Sequence, residues 1–357
     1  TQSVFASVEV GWKSMLYLTL TGRNDWASQL ANSSTPCFFY PSVGLSGVIS
    51  EMLTLPEFID YMKVRGSFSS VGMPYPRNLT SPTYEYDEAN QQWKPKTHYP
   101  IKDLKPERTN SWELGLDMRL FKDFSLGFSW YLANTFNQTF DPKVSVSSGY
   151  SKIYLQTGYV RNSGVELSLG YGHTWNNHLH WESNFTLSHN KNTIKDLVTS
   201  YIHPETGLPI TQNRLDVGGL GKARFILKKG GTLGDLYTQS DLKRDNNGMV
   251  EIDPSGALTT EDNLPDIKLG SVFPKANLAW NNRFEWRGIS LSALFTARIG
   301  GIAYSATQAA MDQYGVSERS AQARDNGGVL LNGRTLVDAQ TYYSLIGNSM
   351  DSLLNGQ

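Results

Sequence analysis

Residues 112–132 constrain the fold most. From Trp112 to Leu120 the residues Trp112, Leu114, Leu116, Met118 and Leu120 alternate with Glu113, Gly115, Asp117 and Arg119. After the link Lys122-Asp123, the residues Phe124, Leu126, Phe128, Trp130 and Leu132 alternate with Ser125, Gly127, Ser129 and Tyr131. Successive side chains on a strand point to opposite faces, so this is a β-hairpin with one apolar, aromatic-ended face and one polar face. The polar face is too charged and too rich in glycine for a dry core. A wall between lipid and water fits better than one leaf of a sandwich.

The pattern recurs. Val4 to Val10 and Met15 to Gly22 flank the turn 11–14. Phe39 to Ile49 carries Val43, Leu45 and Ile49 on one face and returns into Met62 to Phe68, with Val64 and Phe68 outward and Lys63, Arg65 and Ser67 inward. Val165, Leu167, Leu169 and Tyr171 face Leu179, Trp181, Phe185 and Leu187. Ala276, Leu278, Trp280 and Phe284 face Ile289, Leu291, Ala293, Phe295 and Ala297 across Arg287-Gly288. These hairpins make roughly ten strands of ~9–11 residues, the length that crosses a bilayer. The turns inside hairpins are mostly short. The links between them are long, at 23–38, 72–111, 135–152, 190–271 and 300–357. Short turns at one end and long loops at the other are the asymmetry of an outer-membrane barrel. Trp12, Trp112, Trp130, Trp175, Trp181, Trp280 and Trp286 fall at or near strand ends or turns, where an indole can bury its ring and keep its N–H wet.

Composition is compatible. The 357 residues are 39% apolar, with a net charge of −1, and hold no apolar run long enough for a transmembrane helix. The balanced charge and the lack of a basic stripe point away from nucleic acid. Cys37 stands alone, which excludes an intrachain disulfide and reads as a buried or loop thiol. The chain begins at Thr1 almost directly in a strand-like segment and ends at Gln357 in a polar stretch without a closing strand. It therefore reads as an internal piece of a longer protein.

Five segments resemble one known family. Leu104-Lys105-Pro106-Glu107-Arg108-Thr109-Asn110-Ser111-Trp112-Glu113-Leu114-Gly115-Leu116-Asp117 is similar to the signature of the SusC/RagA-type TonB-dependent transporters of Bacteroidota. Arg23 to Ser28 with Phe39 to Gly44, Arg161 to Glu166, Gly230 to Tyr237 and Leu269 to Lys275 resemble further motifs of that family, in family order. The resemblance covers about residues 1–300 and is loose beyond. It implies a 22-stranded, up-and-down, antiparallel transmembrane β-barrel, of which 1–357 is part of the single barrel domain, with long extracellular loops. It also implies an N-terminal plug, absent here, that couples import to TonB. A SusD-like surface lipoprotein would cover the loops, the cargo would be an oligosaccharide or a peptide, and no cofactor is implied. The plug and final strands are missing from this sequence, so the chain alone could not transport.

Other constellations are weaker. In Asp241 to Asp253, placing Gly248 at the sixth position of an EF-hand loop puts Lys243 and Pro254 where carboxylates are required, so Asn247-Gly248 reads as a type I′ hairpin turn. Lys228-Lys229-Gly230-Gly231 lacks the order of a phosphate-binding loop. His98, His173, His178, His180, His189 and His203 form no zinc motif, and no nucleophile elbow is present. Lys63, Arg65, Glu113, Asp117, Arg119, Glu166 and Arg283 read as a mixed-charge lining of a wet lumen that could meet plug or substrate, rather than as a catalytic carboxylate pair. Trp26, Phe38, Tyr84, Tyr86, Trp93 and Tyr99 are the loop aromatics expected to contact cargo or partner.

The reading is a fragment of a TonB-dependent importer in the outer membrane, without chemistry of its own. The alternative is a soluble all-β glycan-binding module, which would cover its apolar face with a second sheet. An outer-membrane hydrolase ranks third, for want of a converging nucleophile and base.

Overall fold

The computed structural model describes residues 1–30, 33, 36–73, 84–95, 98–99, 104–140, 152–175, 178–202 and 209–349. Its contacts divide into two compact units: residues 1–213, 228–230 and 275–299, and residues 214–227, 231–274 and 300–357.

The first unit is one antiparallel sheet. Its strands are β1 (Gln2–Trp12), β2 (Leu16–Trp26), β3 (Cys37–Val48), β4 (Ile59–Met73), β5 (Glu107–Leu120), β6 (Phe124–Phe140), β7 (Leu155–Trp175), β8 (Leu179–Asp196), β9 (Ala276–Trp286) and β10 (Ile289–Ile299). They lie side by side in chain order, each pairing with the next, and the sheet does not close on itself. All five expected hairpins form. Register keeps the two faces apart across every pair. On one face Leu116 meets Val64 and Phe128, and Leu167 meets Phe128 and Leu187. On the other, Asp117 meets Lys63 and Gly127, and Glu166 meets Ser129 and Ser188. No second sheet covers the apolar face among the described residues: Leu114, Leu291 and Phe295 remain 57%, 68% and 59% exposed. In water such a face would be a liability; against lipid chains it is the required surface.

Aromatic rings mark both limits of this face. At the turn end, Phe58 stacks on Phe121, and contacts continue through Phe124, Tyr171 and Trp181 to Phe284, with centroids 4.8–6.5 Å apart. Lys13 lies 5.0 Å from the Trp12 ring and Arg287 5.5 Å from the Trp286 ring, so the cations of these turns share the aromatic level. Towards the loops, Phe68 packs on Trp112 and Trp280 on Phe295. From Trp112 to Leu120 the strand runs ~26 Å, which at a barrel tilt of ~40° spans ~20 Å of height, most of an apolar band ~25 Å tall.

Three expectations need correction. The strands are longer than a bilayer requires, reaching 21 residues in β7 and 18 in β8. The added length lies at the loop end, where Asn134, Asn162 and Asn192 make both faces polar and the ladder continues beyond lipid. Ile49 does not extend β3 but opens the short helix Ile49–Met52. The β5–β6 link is the turn 121–123, with Phe121 and Lys122 at positive φ and Leu120 opposite Phe124.

The second unit holds a four-stranded sheet of Arg214–Leu220, Ala223–Lys228, Asp235–Thr238 and Ile267–Ser271. Its core includes Ile226, Leu227, Leu236 and Tyr237. Asp235, fully buried, accepts from the Thr232 amide and hydroxyl at 3.0 and 2.6 Å and from Lys268 Nζ at 2.6 Å. In the turn at 245–248 only Gly248 has positive φ, so Asn247-Gly248 is not the expected type I′ turn. The Asp245 carboxylate accepts from the amides of Asn247 and Met249 instead, at 2.8 and 2.9 Å.

Helices Ala306–Gln313 and Glu318–Asp325 are capped by Ser305 and Ser317, whose hydroxyls accept from the amides of Gln308 and Ser320. Buried Asp312 accepts from Arg319 through both carboxylate oxygens and from Gln308 at 3.0 Å. Burial raises its pKa, but Arg319, Ser317 and Gln308 outweigh that and hold it below the usual carboxylate value. A depressed carboxylate contributes stability that is complete above its unfolded pKa and fades as pH falls through the folded one. Protection of 306–325 in hydrogen exchange should therefore hold at neutral pH and decline below about pH 4. Asp312→Ala, which removes the carboxylate facing Arg319, should destabilise this segment by ~3 kcal/mol at pH 7.

In the first unit, Leu116→Arg at mid-band should cost ~2–4 kcal/mol in urea unfolding from lipid vesicles, whereas Thr186→Arg on the opposite face should change it by under ~1 kcal/mol.

Candidate functional site: the polar face of the sheet and its loop-end aromatics

The polar face gathers its charges around Arg65 on β4. Its Nη1 donates to Glu113 Oε1 at 2.8 Å, its Nη2 to Ser129 Oγ at 2.6 Å, and its Nε lies 3.7 Å from Asp117 Oδ2. One guanidinium thus spans β4, β5 and β6. The route is open because Arg65 sits opposite Gly115: a Cβ there would lie 2.3 Å from Arg65 Nε. Lys63 stands opposite Asp117 in register. At this cluster a concavity of about 580 Å³ runs over β4 to β10, lined by Arg65, Asp117, Ser129, Glu166, Ser188 and Arg298 among others. Two cations and two acids border it, which suits a hydrated, zwitterionic or hydroxyl-rich surface rather than a single anion.

The expected lining residues therefore fall into two groups. Lys63, Arg65, Glu113, Asp117 and Glu166 share one neighbourhood on β4 to β7. Arg119 lies nearer the turns, opposite Tyr61 and Ser125. Arg283 lies on β9, opposite Glu182, and donates to Glu285 at 3.2 Å. Ser129 and Arg298 were not singled out from the sequence. Strict alternation does signal them, because Phe128 and Ala297 point outward and their neighbours must point in.

The loop-end aromatics separate too. Tyr86 and Trp93 pair across the hairpin Tyr84–Asp87 with Gln92–Pro95, centroids 5.1 Å apart, and are 46% and 67% exposed. Trp26 ends β2, 44% exposed, opposite Cys37. Phe38 is a correction. At 8% exposed it packs with Ala27, Leu30 and Leu104, edge-on to Tyr40, and so serves the loop core rather than an open contact surface. Tyr84 lies opposite Pro95, and Tyr99 lies on a two-residue strand opposite Ile153; their side chains are outside the described residues. His98 shares that strand, and His203 lies outside the described residues.

Residues 1–353 match the TonB-dependent receptor-like β-barrel family. The chain belongs to that family. TonB-dependent receptor barrels are outer-membrane proteins of Gram-negative bacteria. Among sequence relatives, TonB-dependent receptor P39 of Formosa agariphila is 24% identical over 271 residues, which is 72% of this chain and 23% of that protein. Among solved structures, the RagAB peptide transporter superposes with a TM-score of 0.68 at 19% identity, over 87% of this chain and 34% of that one. The closed-closed state of the RagAB peptide importer gives 0.64 at 19% identity, over 85% and 33%. The likeness is one of fold, and it agrees with the SusC/RagA resemblance of the sequence. The chain spans about a third of the RagAB structures and under a quarter of the P39 receptor.

Because Arg65, Glu113 and Asp117 are each about 40–46% exposed, their ion pairs contribute little to the stability of this TonB-dependent receptor barrel wall. Arg65→Gln should shift urea unfolding by under ~1 kcal/mol. Gly115→Leu should displace the Arg65 head from Glu113, visible as lost Arg65–Glu113 coupling in a double-mutant cycle.

Proposed function

We propose that this chain is a wall-and-loop segment of a barrel that imports oligosaccharide or peptide cargo, acting with a SusD-like lipoprotein on its loops and with TonB through a plug. The observation that carries this reading is the division of one ten-stranded sheet into an uncovered apolar face and a charged, hydrated face, in a chain matched by the family over 1–353. Both units then belong to the one barrel domain, the second being built from its long loops. The RagAB importers, which carry peptides, support a peptide cargo; the exposed Tyr86 and Trp93 pair would equally stack on a sugar ring. The lining is suited to passage rather than catalysis, since Glu113 and Asp117 each face Arg65 instead of forming a carboxylate pair.

The test is outer-membrane fractionation of the full-length parent, with detergent extraction and a search for a co-purifying lipoprotein. Recovery from the outer membrane with such a partner supports the importer; recovery as a lone soluble protein overturns it in favour of a glycan-binding module. Once cargo is known, Trp93→Ala should weaken its capture several-fold while leaving urea unfolding of the barrel unchanged.

A further inference from the structure

The outer face of the sheet sorts its charges by height. Between the two aromatic levels its paired positions carry no Lys, Arg, Asp or Glu among the described residues. Beyond the Trp112 level the same face turns polar in one continuous row: Ser70 faces Asn110, Asn110 faces Asn134, Asn134 faces Arg161, and Arg161 faces Thr193. Arg108 stands one outer position above Asn110, and Lys191 one below Thr193, opposite Ser163.

The two guanidinium groups are aimed by neutral acceptors. Arg108 Nε donates to Ser70 Oγ at 2.6 Å, and Ser70 donates to Asn110 Oδ1 at 2.7 Å. Arg161 Nε donates to Asn134 Oδ1 at 2.8 Å and its Nη2 to the Tyr159 hydroxyl at 2.7 Å. The Tyr159 ring, stacked on Phe136, backs Arg161 at 5.8 Å. Neither guanidinium meets a carboxylate among the described residues. Of the two acids at this height, Asp196 is held by Lys229 at 2.7 Å, and Glu107, next to Arg108, takes an inner position opposite Met73. By contrast, Glu9, Glu113, Asp117, Glu166, Glu182 and Glu285 all take inner positions.

A solvated upper wall would mix both signs on this face. Here the sign is single, the height is the level just beyond the apolar band, and the heads are held in place. From strand spacing, Arg161 lies ~8 Å from Lys191 and ~12 Å from Arg108 at Cα, and Arg108 and Lys191 are ~20 Å apart, so the three heads border the footprint of one bulky headgroup rather than meeting at a point. A fixed guanidinium fork fits phosphate oxygens in pairs, and an ammonium adds a point charge.

We infer that Arg108, Arg161 and Lys191 form a binding site for the phosphate of a lipid headgroup in the leaflet at the loop end of the barrel. The inference rests on the membrane-spanning reading of the sheet and not on its cargo. A bound lipid would anchor β5 to β8 at a fixed depth and brace the base of the loops.

The test uses the full-length parent barrel in detergent, mixed with monophosphoryl lipid A or its dephosphorylated counterpart and read by native mass spectrometry. The wild type should retain the phosphorylated lipid at least fivefold better than the dephosphorylated one. The triple variant Arg108→Gln, Arg161→Gln, Lys191→Gln should lose that preference, and Lys191→Gln alone, at an exposed position, should reduce it. Arg65→Gln, on the inner face, should leave it intact. Millimolar inorganic phosphate should compete poorly, since a headgroup site also uses the apolar band below it. Equal retention of both lipids by the wild type, or unchanged preference in Lys191→Gln and the triple variant, would overturn the inference. Failure of the membrane reading would show separately, as absence of the parent from the outer-membrane fraction.

Discussion

Everything in the first unit depends on an unbroken antiparallel ladder. Lipid offers backbone amides and carbonyls no partner, so each must be bonded within the sheet. The ten strands meet this by pairing only with their chain neighbours, and β1 and β10 each keep one edge that no described strand occupies. With the backbone committed, a side chain's environment follows from parity alone. Even the grouping of Arg65, Glu113, Asp117 and Ser129 is a consequence of register, which stacks them across three strands.

The same register explains why the wall tolerates charge. Arg65 lies flat because Gly115 leaves the space above β5 empty, so its head reaches acceptors on two neighbouring strands. A larger residue at 115 would force the side chain upright into the lumen. The glycine-rich polar faces of β5 to β7, which look like weak strands by propensity, are where long polar side chains can spread across the ladder.

What could be read from the sequence follows the strength of period-two alternation. Within the lipid band one face is uncharged and mostly apolar, broken by Ser183 opposite Asn282, so hairpins and inward residues were legible, down to the turn at Arg287-Gly288, both at positive φ, while the β5–β6 turn was read one residue short. Above the band, Asn134, Asn162 and Asn192 remove the contrast, and strand length was underestimated there. Phe38 looked like an open loop aromatic because its partners Leu30 and Leu104 are distant in sequence. The Asp312–Arg319 pair and the sheet of the second unit were illegible for the same reason: short segments carry too few positions for a period, and contact partners cannot be read from spacing.

Between β8 and β9 the chain makes its longest excursion, yet Lys229 is tied back to Asp196, and the Gly230 amide to the Ile194 carbonyl at 2.8 Å. That pin divides one large loop closure into two smaller ones. Closure entropy grows only with the logarithm of loop length, by about 0.6 kcal/mol per doubling. The excursion can therefore lengthen, shorten or exchange its folded insert while β8 and β9 still find each other. Diversification of the exposed surface and preservation of the wall are thermodynamically uncoupled at this junction.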